Sequence, residues 1–148
     1  MNLKWEIKRF DELSLSELYN LLALRSEVFI VEQNCVYQDV DYKDVDALHL
    51  LGTINNKLVA YARLFDAGNY FDNASIGRVL VKQEYRINKF GHQLMKEAIL
   101  AVQVHFNTTK ITISAQVYLV NFYEQHGFSA VGSEYLEDDI PHIQMQKN

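Results

Sequence analysis

The sequence predicts an α/β domain on a mixed, mainly antiparallel sheet, with one splayed parallel pair of strands and flanking helices. Three observations predict it. Residues 75–81 form an apolar, β-branched run; a polar loop, a helical stretch over Phe90–Phe106 and a second β-branched run at 110–115 follow. That is a strand, a crossover helix and a parallel strand. Two strand-like runs, Leu48–Ile54 and residues 58–65, flank Asn55-Asn56, a good hairpin pair because Asn tolerates positive φ. The chain has 148 residues, 49% of them hydrophobic, and uses Gly six times and Pro once. That suits a single domain, 1–148, with one core and no linker.

Taken in order, residues 3–10 alternate weakly and read as a first strand. Ser14-Leu-Ser-Glu17 is a capping box, with Leu13 and Leu18 as its hydrophobic staple. The helix it starts carries Leu18, Leu21, Leu22, Arg25, Val28 and Phe29. Residues 34–46 break the periodicity. The hairpin follows, then a loop over 67–73 and the strand at 75–81. In Phe90–Phe106, Phe90, Leu94, Ala98, Val102 and Phe106 share one helix face. Residues 117–126 read as a short helix closed by Gly127, and residues 128–131 and 140–145 as the last strands.

The junction at residues 86–92 points to chemistry. The first amides of a helix lack internal partners and carry the positive end of its dipole. A loop that aims them outward is an anion site, and phosphate is the usual guest. There is no Gly-Lys-Ser/Thr ending and no Gly-x-Gly-x-x-Gly, which argues against a nucleoside-triphosphate loop and a dinucleotide fold.

The pattern Arg86-x-x-Lys89-x-Gly91 resembles the pyrophosphate loop of the GNAT family of N-acetyltransferases, written Arg/Gln-x-x-Gly-x-Gly/Ala. Lys89 stands where that pattern has glycine. Its side chain turns outward, joins the anion site or weakens it. Residues 114–128 resemble a second segment of that family: a strand ending in a small residue and Asn or Gln, then a helix with Tyr-x-x-x-Gly-Phe. Tyr123, Gly127 and Phe128 match, and Gln116 stands where many members have Asn. Residues 24–33, Tyr37, Asp41, Asp44, residues 47–50, Ile76-Gly-Arg78 and residues 135–142 are similar to the ElaA-like branch. Asp139 departs from that branch, which has glycine in a tight turn.

The resemblance implies acetyl-CoA as donor and an amine, small molecule or peptide, as acceptor. It implies direct transfer in a ternary complex. Arg86, Ile87, Asn88, Lys89, Phe90, Gly91 and His92 would hold the pyrophosphate, with Gln116 beside the cofactor. Val79, Leu80 and Val81 would pair their backbone with the pantetheine arm. Tyr123 would be the general acid for the departing thiolate; Tyr118, five residues earlier, would face another side of the helix. A base must take the proton of an amine near pKa ~10.4. Glu32 is the first choice, with Asp46, His49, Glu137 and His142 as further acceptor-side candidates. The alternative is a non-catalytic acyl-CoA-binding regulatory module, suggested by Lys89. A weaker third reading is an interaction domain that kept the fold only.

Composition bounds the rest. Net charge is −5, with no basic stripe, so no nucleic-acid partner is expected. No apolar run reaches the ~20 residues of a membrane span, and the start does not read as a signal peptide, so a cytoplasmic location is expected. Cys35 is alone and reads as a small buried hydrophobe. The acidic run Asp39, Asp41, Asp44, Asp46 lacks the Gly and Glu of a calcium loop, and Cys35, His49 and His142 lack zinc spacing, so no metal is expected. The run reads as a solvated loop or a lip for a cationic acceptor. The oligomeric state stays open, a homodimer included.

Overall fold

A computed structural model describes residues 2–148; Met1 lies outside the described residues. The elements are β1 (Lys4–Arg9), α1 (Leu15–Ser26), β2 (Leu48–Ile54), β3 (Lys57–Phe65), β4 (Ala74–Val81), α2 (Phe90–Phe106), β5 (Ile111–Gln116), α3 (Val120–Glu124), β6 (Ser129–Glu137) and β7 (Ile140–Lys147). They build a seven-stranded sheet in the order β1-β2-β3-β4-β5-β7-β6. Every neighbouring pair is antiparallel except β4 and β5.

The local rules operate as written in the chain. Ser14 Oγ accepts from the Glu17 N–H at 3.0 Å, and the Glu17 carboxylate accepts from the Ser14 N–H at 2.8 Å. Asn55 and Asn56 take φ of 51° and 65° and close the β2–β3 hairpin in two residues. β3 is buried on both faces and divides the core. Leu50, Ala60, Ala62 and Leu64 pack with Leu94, Ala98 and Val102 of α2. On the other face Leu51, Tyr61 and Leu80 pack with Leu21, Leu24 and Val28.

Two segments depart from the sequence expectation. The first helix does not run uniformly to Phe29; it widens into a π-helical turn at Glu27–Glu32. Such turns are rare and recur at functional sites. The strand expected at 128–131 extends to Glu137 as β6. A register shift between Val131 and Tyr135, with Gly132 at φ 80°, interrupts the alternation that would have revealed it. The β6–β7 turn is Asp138-Asp139, at φ 52° and 62°, so Asp139 occupies a left-handed position that glycine would take without strain.

The acidic run is a further correction, since only Asp46 of its four carboxylates is left exposed and unpaired. Asp39 and Asp44 are buried, and Arg25 and Arg63 beneath them are 0% and 1% exposed. Arg25 donates to Asp39 at 2.8 Å and to Asp44 at 2.6 Å. Arg63 donates to both oxygens of Asp41 at 2.8 Å and to Asp44 at 3.0 Å. Arg78 Nε lies 2.8 Å from Asp39 as an ion contact, outside hydrogen-bond geometry. Three guanidinium groups balance three carboxylates, so the loop is pinned to the sheet rather than solvated.

Candidate active site

The parallel pair creates the site by coming apart. β4 and β5 pair only at Ala74–Ile111 and Ser75–Thr112. Beyond that point β4 keeps its partner β3 on one side and presents an open backbone edge on the other. A cavity of about 530 Å³ fills the splay, and Val79, Leu80 and Val81 line it. β4 is also bulged here: Tyr61 opposes Leu80 and Arg63 opposes Gly77, so Arg78 and Val79 together face one residue of β3. Arg78 takes φ 49°, a left-handed conformation that costs a non-glycine residue about 1–2 kcal/mol. The bulge frees backbone amides from the ladder at the middle of the cavity.

At one end of β4 the chain turns through a 3-10 segment, Gln83–Asn88, into α2. Lys89 is the residue before the helix, and it sits at φ 59°, ψ 31°. No side chain caps this start, so the first amides of a 17-residue helix are left for an anion. Arg86, Lys89, Gly91 and His92 line the cavity. A Cβ on Gly91 would meet the Phe122 ring at 3.5 Å, an ordinary contact, so the protein's own packing does not demand glycine there. The missing side chain keeps the cavity open against the helix end. Ile87 is 88% exposed, Asn88 is exposed and Phe90 is buried in the core; none of these three side chains reaches the cavity. Any part they take is through the backbone.

Tyr123 is 8% exposed and lines the cavity wall, and its hydroxyl has no hydrogen-bond partner among the described residues. Burial pushes the phenol above its usual range, with Tyr118 adding to the rise, so it stays protonated at neutral pH. Tyr118 therefore does not face away as the helical spacing suggested. Val117–Leu119 is a 3-10 turn, separate from α3, and the change of pitch brings Tyr118 to the rim of the same cavity, 72% exposed. Gln116 faces Gln33 across the splay at 3.4 Å.

The five candidates for the acceptor side separate. The Glu32 carboxylate is clamped by both terminal nitrogens of Arg86, the longer contact being 2.9 Å, while Arg86 Nε donates to the Val81 carbonyl at 2.9 Å. Its lone pairs are committed to a guanidinium. Asp46 is exposed and lies outside the cavity lining. His49 is fully buried away from the cavity. Its Nε2–H donates to the Asp44 carbonyl at 2.9 Å and its Nδ1 accepts from the Tyr61 hydroxyl at 2.7 Å. Burial lowers its pKa, so it is a neutral, satisfied core histidine. Asp46 and His49 are thus removed from the acceptor side. Glu137 and His142 remain, and both line the cavity.

The structure also brings in residues that local sequence signals do not mark. Phe65, Tyr70 and Phe71 wall the end of the cavity nearest Ser75, with the Phe65 and Tyr70 rings stacked at 5.2 Å. Cys35, expected to be buried, is half-buried in the wall and donates to the Asp138 carbonyl at 3.2 Å. These residues come from the end of β3 and from two separate loops, so only their convergence identifies them. Among the described residues no cluster suits a metal ion, and no helix is long and apolar enough to cross a membrane.

A splayed parallel pair, a bulged open strand edge and an uncapped helix start in one cleft define a class that the wider comparison bears out. The model of the acetyltransferase (GNAT) domain matches residues 16–148, and this chain belongs to that family. It is 43% identical to Protein ElaA of Escherichia coli (strain K12) over 147 residues, 98% of this chain and 96% of that protein. The crystal structure of an acyl-CoA N-acyltransferase from Pseudomonas aeruginosa superposes with a TM-score of 0.93 at 44% identity, covering 99% of this chain and 100% of the other. The crystal structure of Escherichia coli ElaA gives 0.92 at 42%, with the same coverage.

Proposed function

We propose that this chain is a single N-acetyltransferase domain, acting in the cytoplasm, that moves an acetyl group from acetyl-CoA to an amine by direct transfer in a ternary complex. The observation that carries this reading is the continuous path from the uncapped start of α2, along the open edge of β4, to Tyr123. Family membership and the likeness to a structure described as an acyl-CoA N-acyltransferase support it.

The first amides of α2, with Lys89 and His92 beside them, would receive the pyrophosphate of the donor. The unpaired edge of β4 would hold the pantetheine arm as an added strand. An amide freed by the bulge would polarise the thioester carbonyl, and preorganised donors of this kind count for most where water is excluded. Tyr123 would lend its proton to the departing thiolate. The bidentate clamp of Arg86 makes Glu32 a brace for the π-helical turn rather than the base.

Isothermal calorimetry with acetyl-CoA and a thiol-release assay over a panel of amines test this together. The expected result is saturable binding and release with at least one amine. Gly91→Asp, which brings a carboxylate to the phosphates, should weaken donor binding at least ~tenfold, or ~1.4 kcal/mol. Binding without release for any amine would favour the regulatory-module reading. A folded protein that does not bind acetyl-CoA would overturn the proposal.

A further inference from the structure

His142 is 6% exposed, and its Nδ1 lies 2.7 Å from the Ile140 carbonyl. A carbonyl only accepts, so Nδ1 carries the proton and neutral His142 presents Nε2 as a lone pair. That lone pair lies 3.4 Å from Glu137 Oε2. Two acceptors at this separation repel unless a donor sits between them.

The surroundings hold Glu137 in this pose. Ser114 Oγ donates to Glu137 Oε1 at 3.2 Å, so Ser114 must accept its other short contact from the Tyr135 hydroxyl. The Tyr135 ring in turn stacks on His142, with centroids 6.2 Å apart and planes at 22°. No Lys or Arg pairs with Glu137 among the described residues, whereas Arg63 and Arg78 in the same cavity are already committed to Asp39, Asp41 and Asp44. The two segments framing this end, residues 66–73 and 134–139, hold Asp66, Asp72, Glu134, Glu137, Asp138 and Asp139, and no Lys or Arg. Tyr70 and Phe71 supply an apolar wall.

We infer that His142 Nε2 and Glu137 Oε2 seat the ammonium of the acceptor and take its proton, and that the acceptor is a small primary amine with an apolar body and no carboxylate of its own. The inference rests on the transferase reading above. One ammonium proton passes to His142 Nε2 and leaves to water. The freed lone pair bonds to the acyl carbon as the carbon–sulfur bond breaks. A second proton leaves nitrogen as the amide forms, and it balances the proton that the thiolate takes up. Glu137 stabilises the transient imidazolium. Ser114 and Tyr135 are positioning residues for Glu137.

The test uses His142→Asn, which keeps a donor toward the Ile140 carbonyl, and Glu137→Gln. With 2-phenylethylamine as acceptor, His142→Asn should lower kcat/KM about a hundredfold or more, with acetyl-CoA affinity within about twofold of the parent, since neither residue lies at the phosphate end. The acid limb of the pH profile should vanish in His142→Asn. The titratable groups facing His142 are Glu137 and Tyr135 of β6, while Ser114 and Gln116 of β5 are neutral. Ser114→Ala should flatten that limb less, through a rise in KM more than a fall in kcat. Phenylalanine, the same body with a carboxylate, should be used at least ~tenfold less well. Unchanged kcat/KM in both variants, or a preference for phenylalanine, would overturn the inference. A readout free of turnover separates the two levels: the His142 ring nitrogens, followed by NMR, should shift saturably with 2-phenylethylamine in the parent and far less in Glu137→Gln. A silent ring overturns the ammonium seat. A responding ring without thiol release upholds the seat and counts against the transferase reading.

Discussion

Tyr123 illustrates how one side chain's setting defines its chemistry. It is nearly buried, raised above its ordinary pKa by that burial, and without a protein partner for its hydroxyl. A phenol kept protonated and unpartnered at a cavity wall has its proton free to donate to what enters the cavity. Tyr123→Phe keeps the ring's edge contacts with Phe122 and Phe128 and removes the proton. Thiol release should fall by roughly ten- to a thousandfold, while acetyl-CoA affinity changes little. Tyr118, at the rim of the same cavity, is the control: Tyr118→Phe should leave turnover nearly intact. If the larger loss falls on Tyr118, the proton comes from the exposed phenol and the assignment to Tyr123 is wrong.

The element proposed to govern donor binding is the turn into α2. Its residue 89 must be left-handed for the chain to leave the 3-10 segment and start the helix with free amides, which is the physical reason a glycine suits this position. Lys89 accepts the strain, about 1–2 kcal/mol, and brings a cation to the cavity lining. Lys89→Gly should therefore stabilise the fold by about 0.5–1 kcal/mol, the relief of strain less the added chain entropy of glycine. Urea unfolding measures this. Acetyl-CoA affinity should stay equal or drop, because a favourable charge is lost. Binding tightened tenfold or more would mean that the side chain obstructs the phosphates.

At the scale of the whole molecule, the ion network ties the loop over residues 39–46 to α1, β3 and β4, and so holds the bulge that opens the cavity. Burial opposes the charge on Asp41, yet Arg63, the Lys43 N–H and Arg78 outweigh it and hold the carboxyl down to about 2. Asp44 is lowered as well: burial again opposes its charge, and Arg25 and Arg63 prevail. A depressed carboxylate contributes stability that is complete above its ordinary value of 3.8 and is lost as pH falls through about 2. The protein should therefore lose stability steeply between about pH 4 and 2. Asp44→Asn leaves Arg25 and Arg63 sharing too little negative charge. It should cost about 3–5 kcal/mol at pH 7 and make the acid transition shallower. Denaturant unfolding at several pH values checks both; a loss below about 1 kcal/mol would mean the network is not a structural tie.

By itself the sequence determined the elements whose signals are local. The Ser14–Glu17 box, the Asn55-Asn56 turn and the face of Phe90–Phe106 work within a few residues, and each formed where it was read. The junction from β4 into α2 was legible for the same reason, since a strand, a loop and a helix start are contiguous. What only the tertiary structure decided depends on distant partners. An aspartate in a run reads as solvated until Arg25 and Arg63 arrive from α1 and β3. Glu32 reads as a free base until Arg86 occupies it. His49 and His142 look alike as letters, yet one is sealed under Asp44 and Tyr61 while the other opens a lone pair to a cavity. Periodicity and capping are near-neighbour effects written along the chain. Charge pairing, tautomer and exposure are set by whichever residues the fold brings within a few ångströms.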